Sequence, residues 1–189
     1  MIKAVIFDCF GVLVRGSLEP FIEKHFGADP EDQKSMRHLD HLASRGVLTE
    51  AEYLEKVAEI TGLTAEQVDA ELDQNPANKP LFTYIRDELK PKYKIGFLSN
   101  AYDNWMDQLF TTEQQQLFDS VVLSYDVHMA KPDPRIYHLA ADKLGLKPQE
   151  CIFVDDIAEY CDAAREIGMH AVHYQTFDQY KRELEQILA

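Results

Sequence analysis

Apolar and polar positions change rhythm twice along this chain. Ile2 to Phe7 is a continuous, β-branched apolar run, the pattern of a strand buried on both faces. It delivers Asp8 to the strand's carboxyl end, and Gly11 supplies the loose backbone for a turn away from it. From Val14 to about Asp73 the apolar positions recur at helical spacing instead, as Tyr53, Leu54, Val57, Ala58 and Ile60 do. Thr49-Glu50-Ala51-Glu52 and Thr64-Ala65-Glu66-Gln67 have the form of capping boxes, and Asp29-Pro30 that of an N-cap followed by proline at the first helical position. From Lys79 onward strands and helices alternate. The runs Lys94–Ser99, Val121–Ser124, Cys151–Val154 and Ala171–His173 predict strands. Between and after them, helices are predicted around Leu81/Phe82/Ile85/Leu89, from Asp133-Pro134 to Gly145, up to Ile167 with Gly168 closing, and over Phe177–Leu188.

Such alternation predicts an α/β fold: a Rossmann-like three-layer core whose parallel sheet is covered on both faces. Residues 1–15 and 79–189 form this core in that reading, and residues 16–78 an inserted small helical cap, bounded by Gly16 and the Asn75-Pro76-Ala77-Asn78 break. The insertion follows the first strand, so the cap overhangs the strands' carboxyl ends, where open α/β sheets bind ligands.

Composition narrows the partners. The 189 residues are 46% hydrophobic and 28% charged, with a formal net charge of −14. A nucleic-acid or anionic-membrane surface needs a basic footprint and is not expected; a small anionic substrate needs only a local positive site. Three cysteines, Cys9, Cys151 and Cys161, without framework spacing suit a reduced cytoplasmic protein. Cys9, beside Asp8, reads either as a nucleophile or as a small buried hydrophobe.

Four polar signatures fall at predicted strand ends: Asp8, Ser99-Asn100, Lys131 and Asp155-Asp156. Each has an ordinary alternative. Asp8 and Ser99 would cap turns or helices, Lys131 would be a solvated loop residue, and Asp155 and Asp156 would complement a helix dipole. In a parallel sheet all these ends converge on one crevice. Clustered carboxylates there suit Mg²⁺, and a lysine with a hydroxyl beside them suits phosphoryl oxygens.

In order, Ile-Phe-Asp8-Cys-Phe-Gly-Val-Leu, Leu-Ser99-Asn100, Lys131-Pro-Asp-Pro-Arg-Ile-Tyr and Phe-Val-Asp155-Asp156 resemble the four motifs of the haloacid dehalogenase-like (HAD) hydrolase superfamily, over nearly the whole length. The paired Asp155-Asp156 looks closest to its phosphatase-type members, such as the amino-terminal phosphatase domain of soluble epoxide hydrolases and bacterial sugar-phosphate phosphatases. The resemblance implies an Mg²⁺-dependent hydrolase acting on a small phosphorylated metabolite. It implies that Asp8 carries an aspartyl-phosphate, that Ser99 and the Asn100 backbone hold phosphate oxygens, and that Lys131 neutralises charge. The metal would be held by Asp8, the Phe10 carbonyl and Asp156, with Asp155 close by.

The chain departs from that pattern at two positions. Where most phosphatases of the family have a second Asp that protonates the leaving oxygen, this chain has Phe10, and loss of a general acid/base costs on the order of 10²–10⁴ in rate. Where the family usually has Asp or Asn beside the metal, this chain has Tyr160. Three readings compete: a phosphatase or phosphotransferase with an easier leaving group, a binding protein without turnover, and a 2-haloacid dehalogenase, which would leave Asp155 and Asp156 uncompensated. From the cap, Arg15, Arg45 and His41 are substrate candidates, with Arg37 and His38 on the same helical stretch. His128 is a candidate proton donor or an ordinary loop histidine. Tyr102 and Trp105 are expected to pack.

Overall fold

The computed structural model describes residues 1–26, 30–72 and 76–188. Five parallel strands, β1 (Ala4–Phe7), β2 (Lys94–Ser99), β3 (Ser120–Leu123), β4 (Cys151–Asp155) and β5 (His170–His173), form one sheet in the order β3-β2-β1-β4-β5. β1 is central, pairing with β2 and β4, so all four of its residues are buried. This is why it reads as an uninterrupted apolar run.

Successive side chains of each strand point to opposite faces. Val5, Phe7, Ile95, Phe97, Ile152 and Val154 pack against α5 (Lys79–Tyr84), its π-helical continuation Ile85–Leu89, and the terminal helix α11 (Phe177–Leu188). Ala4, Ile6, Leu98 and Phe153 pack on the other side against α9 (Pro134–Lys143) and α10 (Ala158–Glu166). The result is the expected three-layer arrangement.

Between β1 and α5 lie α1 (Leu18–Phe26), α2 (Pro30–Ser44), α3 (Glu50–Thr61) and α4 (Ala65–Leu72). They bury a cluster of their own, formed by Phe21, Ile22, Phe26, Met36, Ala43, Tyr53, Val57 and Val68. The Thr49 capping box forms, with Glu52 N–H donating to Thr49 Oγ1 at 3.3 Å and Thr49 N–H to Glu52 Oε2 at 2.8 Å. Thr64 and Gln67 exchange the same reciprocal pair. Ile60 differs from expectation: it is 46% exposed, because it sits in the last turn of α3, beyond the cluster that takes Tyr53 and Val57. The Asp29 cap lies outside the described residues.

The two connections to these helices run side by side. Arg15 N–H donates to Pro76 O at 3.0 Å and Asn78 N–H to Leu13 O at 2.8 Å. The Asn78 side chain adds bonds to Val12 O and the Tyr174 hydroxyl at 2.9 and 2.8 Å.

The segment between β2 and α9 holds three short helices, α6 (Met106–Leu109), α7 (Thr112–Gln115) and α8 (Ser124–Val127), too brief to show a helical period in sequence. The predicted third strand ends one residue early, because Ser124 already opens α8 and its hydroxyl is engaged by the Ala101 backbone at 2.9 and 3.0 Å. No helix among the described residues is long and apolar enough to cross a membrane.

Candidate active site

The register of the sheet brings the polar signatures together. Phe7 lies beside Phe97 on β2 and Val154 on β4, so Asp8, Ser99 and Asp155 all leave the sheet at its carboxyl edge. Lys131 reaches the same point from the loop after α8 rather than from the end of β3 itself. Its ammonium lies 2.6 Å from Asp8 Oδ1 and 2.6 Å from Asp155 Oδ2, and the lysine is 1% exposed. A buried cation bound by two carboxylates is no solvated loop lysine. The rings of Phe153 and Tyr160 flank it at 5.5 and 5.0 Å from their centroids.

The Asn100 side chain fixes the Lys131 backbone: its Oδ1 accepts Lys131 N–H at 2.8 Å and its Nδ2 donates to Lys131 O at 3.0 Å. That amide is therefore committed to structure, which leaves Asn100 only its main chain to offer a ligand. Ser99 is 1% exposed and caps no helix, since α6 starts only at Met106. Asp155 keeps part of its alternative reading: Oδ1 accepts Ile157 N–H at 2.8 Å at the start of α10 while Oδ2 holds Lys131.

Asp8, Asp155 and Asp156 each bring a carboxylate oxygen within 4.8 Å of the others. Burial pushes the Asp8 carboxyl up to about 8, against the pull of Lys131 and with help from Asp155 and Asp156. Burial and then Asp155 push Asp156 up to about 6. Lys131 is lowered by burial but raised more by its two carboxylates, so it stays charged. One lysine thus undercompensates three carboxylates, and this all-oxygen donor set fits a hard divalent cation. Gly11 makes the arrangement possible. It has φ +81°, and any β-carbon there would overlap the Asp156 carboxylate.

These residues floor a chamber of about 1250 Å³ between the sheet and the α1–α4 helices. Phe10 lines it and packs edge-on against Trp105, ring centroids 5.1 Å apart. Tyr160 also lines it and replaces a carboxylate with a ring over Lys131, its hydroxyl receiving a 3.4 Å bond from Asn100 Nδ2. Of the cap candidates, Arg15 and His41 line the chamber. Arg37 does too, but its guanidinium is held by Glu19 at 3.2 and 2.8 Å. Arg45 and His38 are exposed and lie outside the lining, as does exposed His128, which removes it as a proton donor here. Cys9 is 1% exposed, and burial followed by Asp8 raises its thiol well above its usual range, so it is a buried hydrophobe.

Asp40, Tyr53, Glu50 and Asp69 line the chamber without being among the site candidates read from the sequence. For Asp40 a signal existed: it lies at helical spacing between Met36 and Ala43, both fully buried. A carboxylate on an apolar stripe is the exception worth noticing.

Comparison with known proteins agrees with this geometry. The family described as haloacid dehalogenase-like hydrolase matches residues 2–168. Bifunctional epoxide hydrolase 2 of Sus scrofa is 26% identical over 98% of this chain and 39% of its own length. Phosphatase MT3486 of Mycobacterium tuberculosis is 40% identical over 41% of this chain and 37% of its own. The chain thus spans about two fifths of the length of these relatives. The crystal structure of a HAD family enzyme of Bacteroides thetaiotaomicron, in complex with magnesium and inorganic phosphate, superposes with TM-score 0.74 at 24% identity, covering 94% of this chain and 96% of that one. With its motifs gathered at one sheet edge and residues 2–168 matched, this chain belongs to the haloacid dehalogenase-like hydrolase family.

Proposed function

We propose that the chain is an Mg²⁺-dependent phosphatase or phosphotransferase acting on a small phosphorylated metabolite. The observation that carries this reading is the placement of the Lys131 ammonium 2.6 Å from both Asp8 and Asp155, with Asp156 completing the carboxylate set. A paired Asp-Asp without a cation would be self-repelling, which argues against a metal-free dehalogenase. The phosphatase relative and the magnesium–phosphate complex of the structural neighbour support the same choice.

In this reading residues 1–15 and 79–189 are the catalytic core and 16–78 the cap. Asp8 is the nucleophile. One of its oxygens attacks phosphorus, the bond from phosphorus to the ester oxygen breaks, and the departing oxygen takes a proton. Water then attacks the aspartyl-phosphate, loses a proton and regenerates the Asp8 carboxylate. Lys131 holds Asp8 in position and neutralises phosphoryl charge. Ser99 Oγ and the Asn100 main chain are placed to receive phosphate oxygens. Asp8, Asp156 and the Phe10 carbonyl would hold Mg²⁺, with Asp155 beside them; the ion would supply charge neutralisation at the phosphoryl oxygens. The cap excludes water, and Arg15 and His41 face the remainder of the substrate.

A second reading, a phosphate-binding protein without turnover, is favoured by Phe10 alone. Phosphate release from a panel of sugar and acyl phosphates, with Mg²⁺ and with chelator, for wild type and Asp8→Asn, separates the two. Metal-dependent release lost in Asp8→Asn is expected. Chelator-insensitive release, or release unchanged in Asp8→Asn, would overturn the phosphatase. Chloride release from 2-chloropropionate would install the dehalogenase instead.

A further inference from the structure

Four carboxylates that line the chamber, those of Glu19, Asp40, Glu50 and Asp69, have no part in the steps above; of these, Asp40 is the one set on a stripe of buried helix positions. Asp40 projects from α2 on the stripe it shares with Met36 and Ala43, and lines the chamber that also holds Asp8, Phe10 and Tyr160. It shares that lining with Glu19 on α1, Arg37 and His41 on α2 itself, Glu50 and Tyr53 on α3, Asp69 on α4, Tyr102 after β2, and Tyr160 on α10. Burial raises the hydroxyls of Tyr53, Tyr102 and Tyr160, and the charge of Asp40 raises each further, so the carboxylate is within electrostatic reach of all three. The Tyr160 ring is itself 5.0 Å from Lys131 Nζ.

Among the described residues Asp40 has neither a hydrogen-bond donor nor an ion pair. Arg37, one turn away, is taken by Glu19. A half-buried carboxyl without partners, on a stripe between buried Met36 and Ala43, costs some stability, and a catalytic chamber is where such a cost is commonly found. Its side of the chamber matters as well. Asp8 attacks from the sheet edge, so in an in-line displacement the departing oxygen points away from Asp8, toward the cap. Asp40 is on that side. Phe10, at the position where a proton donor would otherwise sit, offers only a ring packed on Trp105.

We propose that Asp40 is the general acid/base of this hydrolase, supplied by the cap in place of the residue missing at position 10. In the first step the Asp40 carboxyl gives its proton to the ester oxygen as the phosphorus–oxygen bond breaks. In the second, its carboxylate takes a proton from the water that attacks the aspartyl-phosphate, which restores the acid. Burial and then Glu19 push the carboxyl up to about 6, a range in which both forms are populated near neutral pH. The proposal rests on the phosphatase reading.

The test compares wild type, Asp40→Asn, Asp40→Glu and Asp8→Asn, all with Mg²⁺, on two classes of ester. One class is a set of alkyl phosphates, whose leaving oxygen needs a proton. The other is p-nitrophenyl phosphate, whose leaving group does not. Asp40→Asn is expected to lower kcat on the alkyl esters by about 10²–10⁴ and on p-nitrophenyl phosphate by about threefold or less. The wild-type fall in alkyl-ester kcat above about pH 6 should vanish in Asp40→Asn, and Asp40→Glu should restore part of the rate. An equal loss on both esters, or no loss on either, would overturn the role of Asp40 while leaving the phosphatase reading intact. Absence of phosphate release by wild type from either class, or release unchanged in Asp8→Asn, would overturn that reading and the role of Asp40 with it.

Discussion

Gly11 and Asp156 occupy mutually exclusive space: a β-carbon on the first would overlap the carboxylate of the second. The turn after the first strand therefore does more than redirect the chain, because it leaves a slot for an acidic side chain at the end of the neighbouring strand β4. Gly11→Ala faces both this overlap and a φ of +81° that alanine resists. The variant is expected to remain folded but to displace Asp156. Stabilisation by Mg²⁺ in thermal unfolding should then be lost, whereas a Gly62→Ala control, at a similar φ but in open space, should retain it.

Lys131 is the only cation within hydrogen-bond distance of two carboxylates among the described residues. Removing it leaves Asp8 and Asp155 buried without compensation. Lys131→Met should lower unfolding free energy by about 3–5 kcal/mol in chemical denaturation, as loss of one partner from a buried ion pair does. The double variant Lys131→Met/Asp155→Asn should recover part of that loss, since it also removes one of the stranded charges.

Mg²⁺ binds the native state in the proposed function and so should raise the melting temperature with its concentration. At about a hundred times the dissociation constant the gain is about 2.7 kcal/mol. Calorimetry of wild type and Asp156→Ala reads this without any substrate. A rise of equal size in Asp156→Ala would remove Asp156 from the metal's ligands.

Asp40 carries a stability signature of its own. Burial and Glu19 raise its carboxyl from 3.8 to about 6 in the folded chain. Ionisation therefore disfavours the fold: the carboxyl is harmless below about pH 4, and its cost grows as pH rises toward about 6. Asp40→Asn should match wild type at pH 4 and exceed it by about 1–3 kcal/mol at pH 8, measured by urea unfolding. A stabilised variant with impaired alkyl-ester turnover would show a residue kept for chemistry at a structural cost.

Asn78 ties the two cap connections to the core through Val12 O and the Tyr174 hydroxyl, while its Oδ1 accepts Leu81 N–H at 3.4 Å at the start of α5. Asn78→Ala should lower stability by about 1–3 kcal/mol in urea unfolding, because buried partners lose their bonds.

How much of this was legible in the chain depends on the range of the interaction. The strands of the sheet are local apolar runs, and a buried parallel sheet demands such runs, so the order of elements and Asp8, Ser99, Lys131, Asp155 and Asp156 as site candidates followed from residues a few positions apart. The capping boxes at Thr49 and Thr64 are local too, and both form. Other assignments waited on contacts between residues far apart in sequence. That the Asn100 side chain is locked on the Lys131 backbone, and that Glu19 holds Arg37, is seen only in the fold. Asp40 was not among the site candidates, and only the fold brings it into the lining of the chamber. The sequence by itself determined the strand-end carboxylates, Lys131 and the turn glycine beside them, because backbone pattern and residue type suffice for those. Only the tertiary structure decided which cap side chains face Asp8, because burial and pairing are set by elements that meet across the whole chain. At the turn where Gly11 yields to Asp156, both kinds of information meet.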